Sequence, residues 1–428
     1  MSPSSIPRAL RLLSGRLEAL PWRRRWHLYV MATLGVVYAP LMLYRLVVGY
    51  VQPLSGVDTF DYNAYYQGLH RFLTTGALYD ASFRFIYPPP AVALFLPLAG
   101  LSEHDGYALF AMLTLVPLLA TLPVAKALYE EQTGARLSLA AQVACVALTL
   151  GCAPTLENAA WGQVNTIVLL LCVLHLRLVQ VRRPLFAGVV LAVGFWLKMY
   201  PAVLLGLGLF DRRYRAALQG FVLGAVAIPV ALLPLVSPRY YAQYFAEVVP
   251  HISHVAKLRL MNQSLAAAVL RAGGGRLRVD LEDVRVMTPP MRLLLAGLAL
   301  GSFLALCGWY RRTGKPSLPV VQALLLCTMP VFSPLGWAYT YLLALPLALI
   351  ALLAVEKGTG VEKVAVLVAI AGFLVPVQHV FPIARRLPML VEHALYSRYL
   401  VVVILLTLLV LRVGTVGADD AAARPAPP

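Results

Sequence analysis

Apolar segments recur along almost the whole chain, and several of them are shorter than the ~17–25 residues of a full membrane span. They lie near residues 28–51, 88–101, 106–127, 137–153, 164–180, 184–198, 200–210, 216–236, 291–310, 317–332, 339–355, 362–378 and 396–412. Only 13% of the residues are charged, about half the share of a globular domain. A charge at the centre of a bilayer costs ~2.5–3.5 kcal/mol, so membrane segments avoid it. The pattern predicts an all-α polytopic membrane protein with roughly 11–13 membrane segments.

Basic residues mark the ends of these segments and set the predicted orientation. Arginines crowd residues 1–27, and further clusters separate pairs of apolar segments: Arg182/Arg183, Arg212/Arg213/Arg215, Arg311/Arg312/Lys315 and Lys357/Lys363. Cytoplasmic connections are enriched in Lys and Arg, so these clusters and both termini are predicted to be cytoplasmic. We expect a basic leader at 1–27, an integral membrane domain at 28–412 and a disordered tail at 413–428. The net charge of +17 then reflects membrane topology, and no nucleic-acid partner is expected.

The first extracytoplasmic connection, residues 51–87, is the richest polar stretch of the chain. Asp58 and Asp61 are three residues apart, so they share one face if this stretch is helical. A carboxylate there can act as a general base on a hydroxyl group, and the neighbouring Tyr62 and Tyr65 suit stacking against a sugar ring. The same spacing also fits a helix cap or a solvated surface pair. The next segment, 88–101, is short and opens with three prolines, which favours a re-entrant hairpin.

Further polar side chains fall on the same predicted side of the membrane. Groups that could bind sugar hydroxyls, or simply cap helix ends, are Glu157, Asn158, Trp161, Gln163, Asn165, Asn262 and Gln263. Lys198 interrupts an apolar run; this is typical of a phosphate ligand, although snorkelling to the interface explains it equally well. Lys257 and Arg259 could hold a lipid-linked phosphate or lipid head groups. Trp337 and Tyr339 alone indicate little more than a membrane interface.

Histidines and cysteines add little chemistry to this set. His251 and His254 have no third ligand nearby in the sequence, so no metal site is expected. All five cysteines lie in or beside apolar segments and are interpreted as small core residues.

Ordered short motifs carry a resemblance to a known family. They are Asp61, Tyr62 and Tyr65; Gly76, Leu78 and Tyr79 in GALY; Tyr87 and Pro88 in FIYPPP; Gly162, Gln163 and Asn165 in WGQVN; Lys198 and Pro201 in LKMYP; Asn262–Leu265 in NQSL; and Ser333, Pro334 and Trp337 in SPLGW. Together they resemble glycosyltransferase family 87 of the GT-C superfamily, over most of the chain from about Gly56 to Leu345. The resemblance implies a GT-C type multi-helix fold with a polar exterior first loop, in a bacterial plasma membrane.

The family resemblance also implies an activity and roles for these residues. It implies an inverting hexosyltransferase that moves a sugar, with mannose favoured, from a polyprenyl-phosphate donor to a lipid or glycan hydroxyl on the extracytoplasmic face. Asp61 would be the catalytic base with Asp58 as its rival, and Lys198, then Lys257 or Arg259, would bind the donor phosphate. The implied substrate-binding residues are Tyr62, Tyr65, Tyr87, Glu157, Trp161, Gln163, Asn165, Asn262, Gln263, Trp337, Tyr339 and His379. No cofactor or bound metal is implied, and the partners are donor, acceptor and membrane lipids.

One departure from the family pattern follows the SPLGW motif. Members often carry a histidine there, whereas this chain has Tyr339 and Thr340. Any role of that histidine would therefore fall to another residue, such as His379 or His251.

Two other classes of function also fit a basic polytopic protein. A transporter or flippase of a lipid-linked or sugar substrate would place ionisable residues near the midplane on broken helices in two related halves. A sugar-binding membrane scaffold would not need Asp61 at all. The gathering of the polar motifs on one predicted side favours surface chemistry.

Overall fold

The computed structural model describes residues 21–46, 60–80, 84–209, 212–273, 284–312, 318–377, 384 and 386–422. Almost all of them are helical, which confirms the all-α class. The helices are α1 (Pro21–Leu46), α2 (Phe60–Thr75), α3 (Pro89–Leu98), α4 (Glu103–Thr133), α5 (Leu139–Gly151), α6 (Ala153–Ala160), α7 (Asn165–Gln180), α8 (Pro184–Leu197), α9 (Arg213–Ala231), α10 (Pro238–Gln243), α11 (Val249–His254), α12 (Leu265–Gly273), α13 (Pro289–Arg312), α14 (Leu318–Phe332), α15 (Leu345–Ala354), α16 (Gly360–Leu374), α17 (Met389–Tyr396) and α18 (Arg398–Ala422). Tight 3-10 helices cover Tyr200–Leu209, Ala338–Ala344 and Val355–Lys357, and a π-helix covers Tyr244–Val248.

Four helical stretches in the described part of the chain are long and apolar enough to cross a membrane. They are Glu103–Thr133, Tyr214–Ala231, Pro289–Tyr310 and Ala338–Lys357, and the number rises to six if the bent pairs α5–α6 (41°) and α17–α18 (79°) each count as one span. The polytopic prediction is thereby confirmed. By this criterion the count lies below the predicted 11–13 segments, because α3, α7, α8 and most of α14 are shorter apolar helices. Sixteen residues of α-helix span only ~24 Å of a hydrocarbon core of ~30 Å.

The short helix α3 bears on the predicted re-entrant segment 88–101. Its ten residues, Pro89–Leu98, rise only ~15 Å as an α-helix, about half the hydrocarbon thickness. Pro89 and Pro90 are buried within the protein. A helix of this length cannot cross a bilayer alone, which is in accord with the re-entrant interpretation.

Local sequence explains where the longest helix begins and ends. Ser102 precedes α4, and its side chain accepts a hydrogen bond from the backbone N–H of Asp105, which satisfies one of the free amides of the first turn. Gly134 ends the helix in the left-handed conformation, with φ of 66°. The helix between these two residues is 31 residues long and contains Pro117 and Pro123.

The helices pack around one main apolar core. Helix α9 packs along α8, α1 along α5, and α7 against both α4 and α8. The contact of α8 with α9 is very close, because a Cβ atom added to Gly220 would lie 1.9 Å from the carbonyl oxygen of Leu185. Small residues allow this approach between membrane helices. The four buried cysteines, Cys145, Cys152, Cys172 and Cys327, are free and belong to this core, as expected.

A small β-structure lies in the long connection between α9 and α13. Strand β1 (Val255–Lys257) pairs antiparallel with β2 (Val284–Val286), with Val255 opposite Val286. A single bridge then joins Asn262 to Trp337. The connection is thereby fastened to the 3-10 helix Ala338–Ala344.

The predicted domain boundaries at residues 27 and 412 can be compared with the bounds of α1 and α18. Residues 21–27 of the expected leader form the start of α1, and the rest of the leader lies outside the described residues. Helix α18 runs to Ala422 and so enters the segment 413–428 that was expected to be disordered. The boundaries at 27 and 412 remain predictions.

Candidate active site

Lys198 lies at the end of α8, where the backbone leaves the helix. Its Nζ atom donates hydrogen bonds to Oε1 of Gln163 at 2.6 Å and to Oδ1 of Asn165 at 2.9 Å. The position at the helix C-terminus is favourable for a cation because the backbone carbonyls there carry partial negative charge. An ammonium group has three N–H donors, so the two amide oxygens leave one donor for a further acceptor.

Aromatic rings surround the same ammonium group. Nζ of Lys198 lies 5.4 Å from the ring centre of Tyr87, 5.8 Å from that of Tyr200 and 5.6 Å from that of Tyr339. These distances are in the range of cation–π attraction. Burial nevertheless lowers the pKa of Lys198 to about 7, against the opposing charge of Asp61. The ammonium group of Lys198 therefore loses its proton near neutral pH.

Two tyrosine hydroxyl groups, one in α2 and one in the segment after it, form a hydrogen-bonded chain to Gln163. The Tyr65 hydroxyl donates to the Tyr87 hydroxyl at 2.6 Å, and the Tyr87 hydroxyl donates to Oε1 of Gln163 at 3.0 Å. Tyr79 in turn donates to the backbone carbonyl of Tyr87 at 2.7 Å. Tyr87 and Lys198 consequently share one amide oxygen.

The turn between α6 and α7 holds Gln163 and Asn165 in place. Nδ2 of Asn158 donates to the carbonyl of Gln163 at 3.0 Å, and Oδ1 of Asn158 accepts from the backbone N–H of Asn165 at 3.2 Å. Gly162 takes a positive φ of 63°, and a Cβ atom there would lie 2.7 Å from Cβ of Tyr62. Only glycine fits both the backbone conformation and the space.

Asp61 lies in the first turn of α2, beside the lysine site. The Oδ2 atom of its carboxyl group is buried and has no hydrogen-bond partner among the described residues. Burial raises the pKa of Asp61, while hydrogen bonding from Tyr339 and Gln163 and the charges of Lys198 and Lys257 lower it. A buried carboxylate oxygen without a donor is costly, so this atom offers a position for a hydroxyl group of a ligand.

Two tryptophans and a second lysine extend the site. The Tyr339 ring lies 6.3 Å from that of Trp161 and 6.3 Å from that of Trp337, the latter nearly parallel at 29°. Nζ of Lys257 lies 5.8 Å from the ring centre of Trp337. Burial, and secondly the charge of Arg259, lower the pKa of Lys257, while Asp61 raises it. The Asp61 carboxyl group therefore interacts with two cations, and the aromatic rings near it have flat surfaces that suit a sugar ring.

Several predicted site residues therefore meet at one end of the helices. They come from the start of α2, the segment before α3, the α6–α7 turn, the end of α8, strand β1 and the residues around Ala338: Asp61, Tyr65, Tyr87, Trp161, Gln163, Asn165, Lys198, Lys257, Trp337 and Tyr339. Their roles toward a substrate remain predictions.

Asn262 and Gln263 lie close by, but their side chains hold the backbone. Nδ2 of Asn262 donates to the carbonyls of Lys257 at 2.9 Å and Pro334 at 2.8 Å. Nε2 of Gln263 donates to the carbonyls of Leu260 at 2.6 Å and Tyr396 at 2.5 Å. Both side chains are inaccessible to solvent. A direct contact with substrate would have to displace these bonds.

Glu157 and Tyr62 face other surroundings than Lys198. Oε1 of Glu157 accepts from the backbone N–H of Val377 at 3.3 Å, and the residue is buried. The Tyr62 ring is buried against Tyr107, with ring centres 5.8 Å apart. Glu157 and Tyr62 therefore contact the protein itself, and their roles toward a substrate remain predictions.

The charge of Arg259 acts on Lys257, and a role of Arg259 in binding the donor phosphate also remains a prediction.

Three further residues were named from the sequence. Asp58 and His379 lie outside the described residues. His251 is exposed on α11. At the position where the family often has histidine, the hydroxyl of Tyr339 hydrogen-bonds to Asp61.

Tyr200 was not named as a site residue from the sequence, and Asn158 was named only as one of the amides that could bind sugar hydroxyls or cap helix ends. Asn158 is completely buried and organises the α6–α7 turn, and the Tyr200 ring lies beside the Lys198 ammonium. Tyr200 is two residues from Lys198, and a polar amide in an apolar run was a signal for Asn158. Neither signal distinguishes a site residue from an ordinary helix end.

Comparison with known proteins supports the resemblance. The profile of glycosyltransferase family 87 matches residues 85–334, which include Tyr87, Gln163 and Lys198 but not Asp61. A protein of Mycobacterium tuberculosis (strain ATCC 25618 / H37Rv) is 28% identical over 277 residues, which cover 62% of this chain and 61% of the relative. That relative is described as a polyprenol-phosphate-mannose-dependent alpha-(1-2)-phosphatidylinositol mannoside mannosyltransferase. The chain thus matches less than two thirds of the relative's length. Because the family profile covers more than half of the chain, the protein belongs to glycosyltransferase family 87.

Proposed function

We propose that this protein transfers a hexose from a polyprenyl phosphate to a hydroxyl group of a lipid or glycan acceptor, with inversion at the anomeric carbon. Family membership and the description of the mycobacterial relative support a polyprenol-phosphate donor, with mannose as the favoured sugar. The observation that carries the proposal is Asp61, whose buried Oδ2 atom has no hydrogen-bond partner among the described residues and whose carboxyl group interacts electrostatically with Lys198 and Lys257.

The proposed reaction is a single displacement. The acceptor hydroxyl gives its proton to the Asp61 carboxylate while its oxygen forms a bond to the anomeric carbon. The bond from that carbon to the phosphate oxygen breaks, and the phosphate leaves with the electron pair. The protonated Asp61 then returns its proton to solvent. The acceptor approaches the face opposite to the leaving group, which inverts the configuration.

The lysines supply charge stabilisation in this scheme. The phosphodiester of the donor becomes a polyprenyl phosphate monoester, with more negative charge, when the glycosyl bond breaks, and cations in a site with little water stabilise that charge strongly. The third N–H of Lys198 is directed to this task, with Lys257 as the second cation. The rings of Trp161, Tyr339 and Trp337 would hold the sugar.

The arrangement also supports the extracytoplasmic face as the site of reaction. The site lies near the start of α4, where Tyr107 packs against Tyr62. The basic residues Lys126 and Arg136 lie near and just beyond the other end of this helix. Cytoplasmic regions of membrane proteins carry the excess of Lys and Arg.

Membranes containing the protein, supplied with labelled polyprenyl-phosphate mannose and extracted lipid acceptors, test the proposal. We expect transfer of label to a lipid product and a loss of about 10²–10⁴-fold in the Asp61→Asn variant, because the general base is removed. Asp80→Asn is the matched control: Asp80 pairs with Arg71 at 2.6 Å after α2, and we expect transfer within about twofold of the wild type.

Two outcomes would overturn the proposal. Equal product from the wild type and Asp61→Asn would remove Asp61 as the base. Movement of a labelled lipid-linked sugar across the bilayer without any transfer would favour a flippase.

A further inference from the structure

A large cavity opens between the helices at the end of the molecule opposite Asp61. Its volume is about 1180 Å³. Helix α7 starts at Asn165 in the candidate site and lines the cavity farther along with Val173 and Leu176. Helix α4 likewise contacts Tyr62 near its start and lines the cavity near its end. The same helices therefore carry two separate places for ligands.

The inner walls of the cavity are apolar. They are formed by side chains of α4, α7, α14 and α15, among them Leu122, Leu169, Val173, Leu176, Leu349 and Leu353. Such walls offer no hydrogen bonds to water molecules. Hydrocarbon chains are more stable against them than in contact with water. The volume also exceeds the ~300–1,000 Å³ usual for small-molecule pockets.

The rim of the cavity is strongly basic. Six cationic and two acidic side chains lie on it: Arg24, Arg25, Lys126, Arg136, Lys357, Arg412, Glu356 and Glu362. The acids are already engaged, because Glu356 pairs with Arg25 at 2.6 Å and Glu362 with Arg412 at 3.1 Å. Among the described residues, Arg24, Arg136 and Lys357 make no ion pair. The rim therefore has positive charge that the protein itself does not neutralise.

We infer that this cavity binds one acidic glycerophospholipid, with its phosphate among Arg24, Arg136 and Lys357 and its acyl chains against the leucine walls. Charge complementarity selects the head group, and the apolar interior selects the chains. Basic pockets between membrane helices at the cytoplasmic side suit anionic head groups, which are abundant in that leaflet. The bound lipid joins the start of α1, the residues after α4 and the 3-10 helix after α15, so it stabilises the fold. This inference is independent of the proposed transfer reaction.

Native mass spectrometry of the full-length protein in detergent tests the inference. The probes are phosphatidylglycerol and phosphatidylcholine with identical acyl chains. We expect one retained phosphatidylglycerol, with at least about tenfold preference over phosphatidylcholine. The double variant Arg136→Gln/Lys357→Gln should lose this preference. The matched control Arg212→Gln/Arg215→Gln removes the same charge before and within α9, away from the cavity, and should keep it.

A variant in the apolar wall gives a second, charge-independent test. Leu349→Trp places a larger side chain in the apolar wall against which the acyl chains would lie, so we expect the retention of both lipids to fall while the protein still elutes as a folded monodisperse species. Absence of any head-group preference in the wild type, an equal loss in the α9 control, or full lipid retention in Leu349→Trp would overturn the inference. Stronger retention of decaprenyl phosphate than of phosphatidylglycerol would also overturn it, because the occupant would then be a single-chain polyprenyl lipid.

Discussion

Nζ of Lys198 lies 2.6 Å from Oε1 of Gln163, although the two residues are 35 positions apart. The same oxygen accepts a hydrogen bond from the Tyr87 hydroxyl at 3.0 Å. One amide thus connects the end of α8 with the segment before α3. Its removal should disturb both the cation and the tyrosine chain.

Gln163→Leu should weaken use of the donor. Hydrogen bonds to charged groups contribute ~1.5–3 kcal/mol, so we expect kcat/KM for the polyprenyl-phosphate sugar to fall about 10- to 100-fold, with a smaller effect on the KM of the acceptor. Gln67→Leu, at an exposed position of α2, is the control and should behave like the wild type. Equal losses for donor and acceptor would indicate general damage to the site.

The pH profile of transfer should have its alkaline limit near neutrality. Transfer needs ionised Asp61 and protonated Lys198. Burial lowers the pKa of Lys198 to about 7, so kcat/KM should fall as the pH rises through this value and the cation is lost. Burial raises the pKa of Asp61, so the acidic limit should lie above that of an ordinary carboxyl group. Initial rates across pH 5–10 measure both limits.

Lys198→Arg should separate charge from geometry. Arginine stays protonated throughout this range, so the alkaline limit should move up by more than about 2 pH units, even though the different shape of the guanidinium group lowers the maximal rate. An unchanged alkaline limit would assign that titration to another group.

Gly162→Ala should destabilise the α6–α7 turn. The backbone there has a φ of 63°, and the added Cβ would lie 2.7 Å from Cβ of Tyr62. Strain and overpacking together cost about 1–3 kcal/mol, so the Tm of the purified protein should fall by several degrees. Gly297→Ala in α13 meets no atom within 4 Å, and helix propensity favours alanine. It should leave the Tm equal or slightly higher.

Asn262→Ala should reduce stability more than substrate binding. The change removes the donor shared by the half-buried carbonyls of Lys257 and Pro334, of which Pro334 keeps a hydrogen bond from Ser264 at 3.4 Å, and each lost hydrogen bond costs ~0.5–1.5 kcal/mol. We expect a lower Tm and a nearly unchanged KM for the donor. Asn63→Ala removes a hydrogen bond to Glu103 from a partly exposed side chain and should lower the Tm less. A higher KM at unchanged Tm would instead support a substrate contact of Asn262.

The sequence by itself determined the class of the protein and the membership of much of the site. Scarcity of charge along long segments leaves no alternative to lipid-facing helices, because the cost of a buried charge acts on each residue separately. Motif order identified Gln163, Asn165 and Lys198 as functional candidates, and the structure joins them by hydrogen bonds. Hydropathy located most of the helices, but it does not register bends such as the 79° angle between α17 and α18.

Only the tertiary structure decided which polar groups face one another. Asn165 and Asn262 look alike in sequence, yet one holds the Lys198 ammonium and the other ties together backbone segments 72 residues apart. The basic cavity was equally invisible, because its rim is assembled from the ends of several distant helices. The preference of a side chain for lipid or for water is a property of that residue alone, so it can be read directly from the sequence. Pairing of buried polar groups depends on helix packing, which brings together residues that have no relation in sequence.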